Sequence, residues 1–166
     1  VNFIFFTPLA AGLVTWPAIM ILCHGRWMDG IARDALAGVV LGPATLIALA
    51  AFWLGRSWSG VPTPPGAWLQ PTVLLARDGT AVALWWLVAW RFAGRARNAR
   101  PAVAAGWLAV LYVIVFSLLG FDRVMALDPR WFSALFGAYF FISGLYAAIA
   151  LLALVTALRA PRRPDL

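Results

Sequence analysis

Cysteine and histidine each occur once, as Cys23 and His24. One cysteine excludes an internal disulfide, a Cys-x-x-Cys-His haem attachment site and an iron–sulfur centre ligated by this chain alone. One histidine excludes a haem b held by two histidines of the same chain, and a metal cluster of His and carboxylates has nothing to draw on. Lysine is absent, so every cation is an arginine. Charged residues make up only 11% of the 166 residues, whereas soluble domains carry about 25%. No nucleophile–base pair, Gly-rich phosphate loop or metal-spaced carboxylate pattern is present.

What fills the chain instead is apolar: 64% of it, in runs too long and too numerous for a soluble core. The composition predicts an all-α integral membrane protein with five transmembrane helices, four of them forming a bundle. The expected spans are about 2–22, 35–54, 71–92, 101–121 and 131–158. The first carries Pro17, which is expected to kink it. It has neither a cationic leader nor a small-residue cleavage site, so it reads as a retained helix. The second carries Gly38, Gly42 and Pro43, small residues that permit close helix approach or are simply tolerated in a membrane helix. Residues 55–70 are rich in Gly, Ser and Pro and read as an irregular connection, with Trp58 and Trp68 at the membrane interface. Pro71 opens the third span at a favoured first helical position. A basic tail, 159–166, follows the fifth.

The net charge of +7 does not point to nucleic acid, because the arginines are spread over the ends of apolar segments. With five spans the connections alternate sides. Nine arginines (Arg26, Arg33, Arg91, Arg95, Arg97, Arg100, Arg159, Arg162, Arg163) fall on one side. Four (Arg56, Arg77, Arg123, Arg130) fall on the other. The positive-inside rule places the first side in the cytoplasm, with the N-terminus outside and the basic tail inside.

Few residues are able to carry chemistry. Arg77 and Asp78 lie about two turns inside the third span. Neighbours on a helix point about 100° apart and need not pair. Ionisable groups at membrane depth are costly and face the bundle interior or a water cavity. They form a proton or quinone-headgroup site, or else Arg77 reaches the interface and Asp78 pairs with a loop arginine. Asp122, Arg123, Asp128 and Arg130 crowd the short loop before the fifth span. That loop is a polar site or docking surface, or Asp128 simply caps the fifth helix ahead of Pro129. His24, at the end of the first span, is a ligand or an interfacial histidine. Trp85, Trp86 and Trp90 pack or face lipid, or line a quinone channel.

The segment Asp122-x-x-Met125-x-Leu127-Asp128-Pro129-x-Trp131-Phe132-Ser133, followed by Phe136-Gly137-x-Tyr139-Phe140-Phe141, resembles a motif of the alternative complex III family. The resemblance is to its F subunit, the quinol:cytochrome c oxidoreductase quinone-binding subunit 2, of the polysulfide reductase membrane-subunit (NrfD-like) superfamily. Trp68-Leu69-Gln70-Pro71 with Arg77 resembles that subunit's Leu-Asn-x-Pro loop and following arginine. Asn2 to Phe6 and the helix ending at Trp27 resemble an early helix. The sequence departs from the motif at Arg123 (a Trp in the family), Ala126 (Ser) and Arg130 (His). The family subunit has about twice this length and ten helices, and this chain resembles its first half without the very first helix.

The resemblance implies a multi-pass subunit of a respiratory electron-transfer complex in the bacterial inner membrane. It implies no cofactor bound by this chain alone, quinone contact as a further role, and haem c and iron–sulfur clusters in partner subunits, both membrane and extrinsic. Arg77, Asp78, Asp122, Asp128 and Arg130 are then candidates for proton transfer or quinone contact. The alternative is a purely structural accessory subunit of another membrane enzyme. A small transporter fits less well, with an odd helix count, no internal repeat and no pair of broken helices.

Overall fold

The computed structural model describes residues 2–25, 30–58, 70–128 and 130–159, without the side chains of residues 56–58. It is all helical, with no strand among the described residues. The helices are α1 (Asn2–Leu22), a short α2 (Ala32–Leu36), α3 (Gly42–Trp58), α4 (Pro71–Ala96), α5 (Ala102–Arg123) and α6 (Phe136–Arg159). A 3₁₀ segment, Ala37–Leu41, joins α2 to α3, so that Ala32–Gly55 acts as one apolar span. Five helices are therefore long and apolar enough to cross a membrane.

Lipid tails are as apolar as leucine, so membrane helices associate through close packing and polar contacts. The sequence provides for this with small residues at crossings. A Cβ added at Gly12 would meet Ala148 Cβ at 2.8 Å, and one at Gly144 would meet Pro8 Cβ at 2.5 Å. These glycines let α1 and α6 touch backbone to backbone. Gly120 accommodates Phe140, and Gly137 accommodates Phe121, which seats α6 on α5. Gly38 approaches Leu13 and Gly42 lies against the Trp86 ring, which brings the second span onto α1 and α4. α1 contacts all four other spans, while α3/α4, α4/α5 and α5/α6 pair as neighbours around it. Accordingly α1 is the most buried span, at 56%, and α6 the least, at 17%.

α1 runs unbroken through Pro8 and Pro17. Tyr112 ties three helices together: its hydroxyl donates to Phe141 O of α6 at 3.0 Å and lies 3.4 Å from Pro8 O of α1. α1 ends in a Schellman motif, in which Gly25 N donates to Met20 O at 2.8 Å and His24 N donates to Ile21 O at 3.2 Å. His24 occupies the left-handed position of that motif, at φ 56°.

Several boundaries differ from the sequence expectation. α3 continues through Gly55 to Trp58, into the stretch read as irregular. α4 extends to Ala96, beyond the expected 92. α5 runs to Arg123, so Asp122 and Arg123 belong to a helix and not to the following loop. α6 starts at Phe136, not 131. Residues 59–69, the interfacial placement of Trp68, and the tail beyond Arg159 lie outside the described residues, as does the side chain of Trp58.

Candidate functional site

Pro71 begins α4 as expected, and Arg77 and Asp78 follow about 9 Å further along at about 1.5 Å per residue. α5 runs antiparallel beside α4, so its last turn reaches the same level with Asp122 and Arg123. The four side chains form an alternating chain of charge. Arg123 Nε lies 2.7 Å from Asp78 Oδ2. Arg77 Nε donates to Asp78 Oδ1 at 3.3 Å, and Arg77 Nη2 donates to Asp122 Oδ2. The Arg123–Asp78 approach is a close ion pair and not a well-aligned hydrogen bond. Arg123 Nη2 also lies 3.4 Å from the carbonyl of Leu74.

The group is sealed. Asp78 has no exposed side-chain surface, Arg123 and Asp122 are nearly as buried, and only Arg77 keeps a fifth of its surface open. α3 supplies the cover: the Arg123 guanidinium lies 4.8 Å from the Trp53 ring centre and 5.5 Å from that of Phe52. Both lie within the range of cation–π attraction. Two arginines face two aspartates, so the cluster is neutral. An arginine does not lose its proton in proteins, so its burial requires such an anion. The cluster therefore fastens α3, α4 and α5 at the end of the bundle where α1 begins.

Of the sequence candidates, Arg77, Asp78 and Asp122 come together here, and the adjacent Arg77 and Asp78 do touch. Asp128 and Arg130 stand apart and in the open. Asp128 Oδ1 accepts from the Arg130 backbone N at 3.0 Å and from Arg130 Nε at 3.1 Å. Arg130 is 91% exposed. These contacts hold the Asp128 carboxyl below the usual carboxylate range. Asp128 does not cap the fifth helix, which starts eight residues later. As the residue before Pro129 it is extended, at φ −125° and ψ 99°. It closes a turn onto Arg130 instead.

The alternative in which Asp78 pairs with a loop arginine names this partner, Arg123, although it stands on α5 and not in the loop; sequence reading missed Phe52 and Trp53. For Arg123 the available signal was charge balance: Arg77 and two aspartates at one depth call for a second cation. Of the remaining candidates, Trp85 and Trp86 are core residues, Trp85 packing edge-on to Trp86 and Phe116, while Trp90 is exposed. Trp86 and Trp90 line a lipid-facing groove of about 380 Å³ with Val39, Pro43 and Leu46. His24 is exposed and serves the α1 terminus. Among the described residues, no three of His, Cys, Asp and Glu converge as a metal-ligand set. Comparison with family models and with curated proteins gives no match.

Proposed function

We propose that this chain is a membrane subunit of a respiratory electron-transfer complex of the alternative complex III kind, seated in a bacterial inner membrane with its N-terminus outside. One observation supports this above the others. The two segments that resemble the F subunit, Trp68-Leu69-Gln70-Pro71 with Arg77 and the stretch from Asp122 at the end of α5 to Ser133, meet through the Arg77–Asp122 ion pair. Residues 45 apart that share one resemblance therefore share one site. In this reading partner subunits carry haem c and iron–sulfur centres. This chain's charged cluster holds three helices in register at the outer surface, beneath the extrinsic subunits.

A direct role in quinol oxidation is a second reading, supported by the residual exposure of Arg77. A guanidinium with a fifth of its side-chain surface exposed is able to add a bond to a quinone headgroup oxygen while it keeps its two aspartates. The buried Asp78 and Asp122 would then fix its orientation.

Purification of the tagged chain from its native membrane in mild detergent tests the assignment. Co-purifying multihaem cytochrome and iron–sulfur polypeptides, with a haem spectrum, are the expected result. Recovery with an unrelated membrane enzyme would overturn the electron-transfer assignment and leave an accessory subunit.

A further inference from the structure

Trp86 packs against Gly42, where an added Cβ would come within 3.0 Å of the indole ring. This contact joins α4 to the second span and floors the groove of about 380 Å³ between them. Ala83, Leu87 and Trp90 of α4 form one wall, and Val40, Pro43 and Leu46 of the second span form the other. On α4 the stripe Ala83, Leu87, Trp90 continues at the same three- or four-residue spacing to Gly94 and Arg97. Arg97 keeps helical backbone, at φ −68° and ψ −30°. Gly94 has open space around its Cβ direction, so no side chain closes the stripe there. Arg97 lies about 10 Å beyond Trp90 at about 1.5 Å per residue. On the other wall, Arg33 of α2 stands seven residues before Val40.

The groove thus carries an arginine beyond the same end of each wall. Both are exposed, and neither has an ion-pair partner among the described residues. Asp34 is the one described acid at this end of the bundle, and Arg159 takes it at 2.9 Å. Asp and Glu are absent from the whole stretch between Asp78 and Asp122. This end of the groove therefore has an excess of positive charge that the described part of the chain does not answer.

We propose that the groove binds one phospholipid of net negative charge, with an acyl chain between α4 and the second span and the phosphate on Arg97 and Arg33. The apolar walls match the chain. Guanidinium groups match a phosphate diester, and Trp90 stands between the two, where a tryptophan meets the hydrocarbon–headgroup boundary. A zwitterionic lipid fills the apolar part equally well, but its ammonium group meets charge of its own sign. The site does not depend on which enzyme the chain serves.

Native mass spectrometry of the protein as purified in mild detergent, titrated with phosphatidylglycerol or phosphatidylcholine of equal chain length, tests the proposal. One phosphatidylglycerol per chain is expected to stay bound under activation that removes phosphatidylcholine. Arg97→Gln and Arg33→Gln each lower the bound fraction about fivefold, the effect of one arginine near an anionic headgroup. Ala83→Phe fills the groove from an exposed position and removes the lipid. Arg95→Gln takes the same charge from the same end, but from another face of α4, and leaves binding unchanged. In native membranes, a photoreactive amino acid at Leu87 gives a phospholipid adduct. Equal retention of the two lipids, an Arg95→Gln effect as large as that of Arg97→Gln, indifference to Ala83→Phe, or a polypeptide adduct at Leu87 would each overturn the proposal.

Discussion

Asp78 and Arg123 show why a buried ion pair is costly to break and cheap to replace. Each charge is nearly solvent-free, so each depends on the other. Removing one partner of a buried pair costs about 3–5 kcal/mol, whereas replacing both with apolar residues is often neutral. Asp78→Asn and Arg123→Met are each expected to lower stability by about that amount, read as an earlier thermal midpoint in detergent. A pair worth nothing would leave both midpoints unchanged. His24 is expected to behave oppositely. Its left-handed backbone costs a non-glycine residue about 1 kcal/mol, so His24→Gly should raise the midpoint slightly. A fall in stability, or loss of a bound cofactor, would mean that its imidazole does more than end a helix. The costly charges were legible in the sequence, since Arg77, Asp78 and Asp122 stand out against apolar neighbours. That Asp78 pairs with an arginine from the following loop region was one of two readings; that Asp122 joins through Arg77 was not, because it depends on where α5 ends. Ending that helix two residues early made Arg123 a loop residue and grouped it with Asp128 and Arg130 instead of with Arg77.

At the scale of elements, the spans were legible because 20-residue apolar runs admit only one backbone solution in a bilayer. Their ends were not, because ends are decided by tertiary partners. α5 gains its last turn from ions on α4. α6 gives up five residues because Asp128 bonds Arg130 in a turn, leaving the next helix to begin at Phe136. The crossings rest on glycine, and position separates the glycines that matter from those that do not. Gly144→Ala places a methyl against Pro8 Cβ and the Tyr112 hydroxyl and is expected to cost about 1–3 kcal/mol by overpacking. Gly79 has open space around its Cβ direction, so Gly79→Ala should be neutral or stabilising by up to about 1 kcal/mol. Thermal unfolding of the two variants side by side checks this. Equal effects would contradict the α1–α6 contact.

For the whole molecule, the arginine distribution predicts an orientation that the single cysteine is placed to report. Cys23 is exposed at the far end of α1 from Asn2. With the N-terminus outside, a membrane-impermeant maleimide should label Cys23 in inside-out vesicles and not in intact cells. Labelling of intact cells would reverse the topology and put the charged cluster on the cytoplasmic side. In the first proposed reading this cluster holds three helices in register and stands outside the path of protons and quinone; in the second it takes part in it. The most direct measurement is quinol turnover by the purified complex containing Asp78→Leu together with Arg123→Met. A structural role predicts an assembled complex, stable like the native one and turning over at the native rate. An assembled, stable complex that has lost turnover would contradict it and make the cluster part of the reaction path.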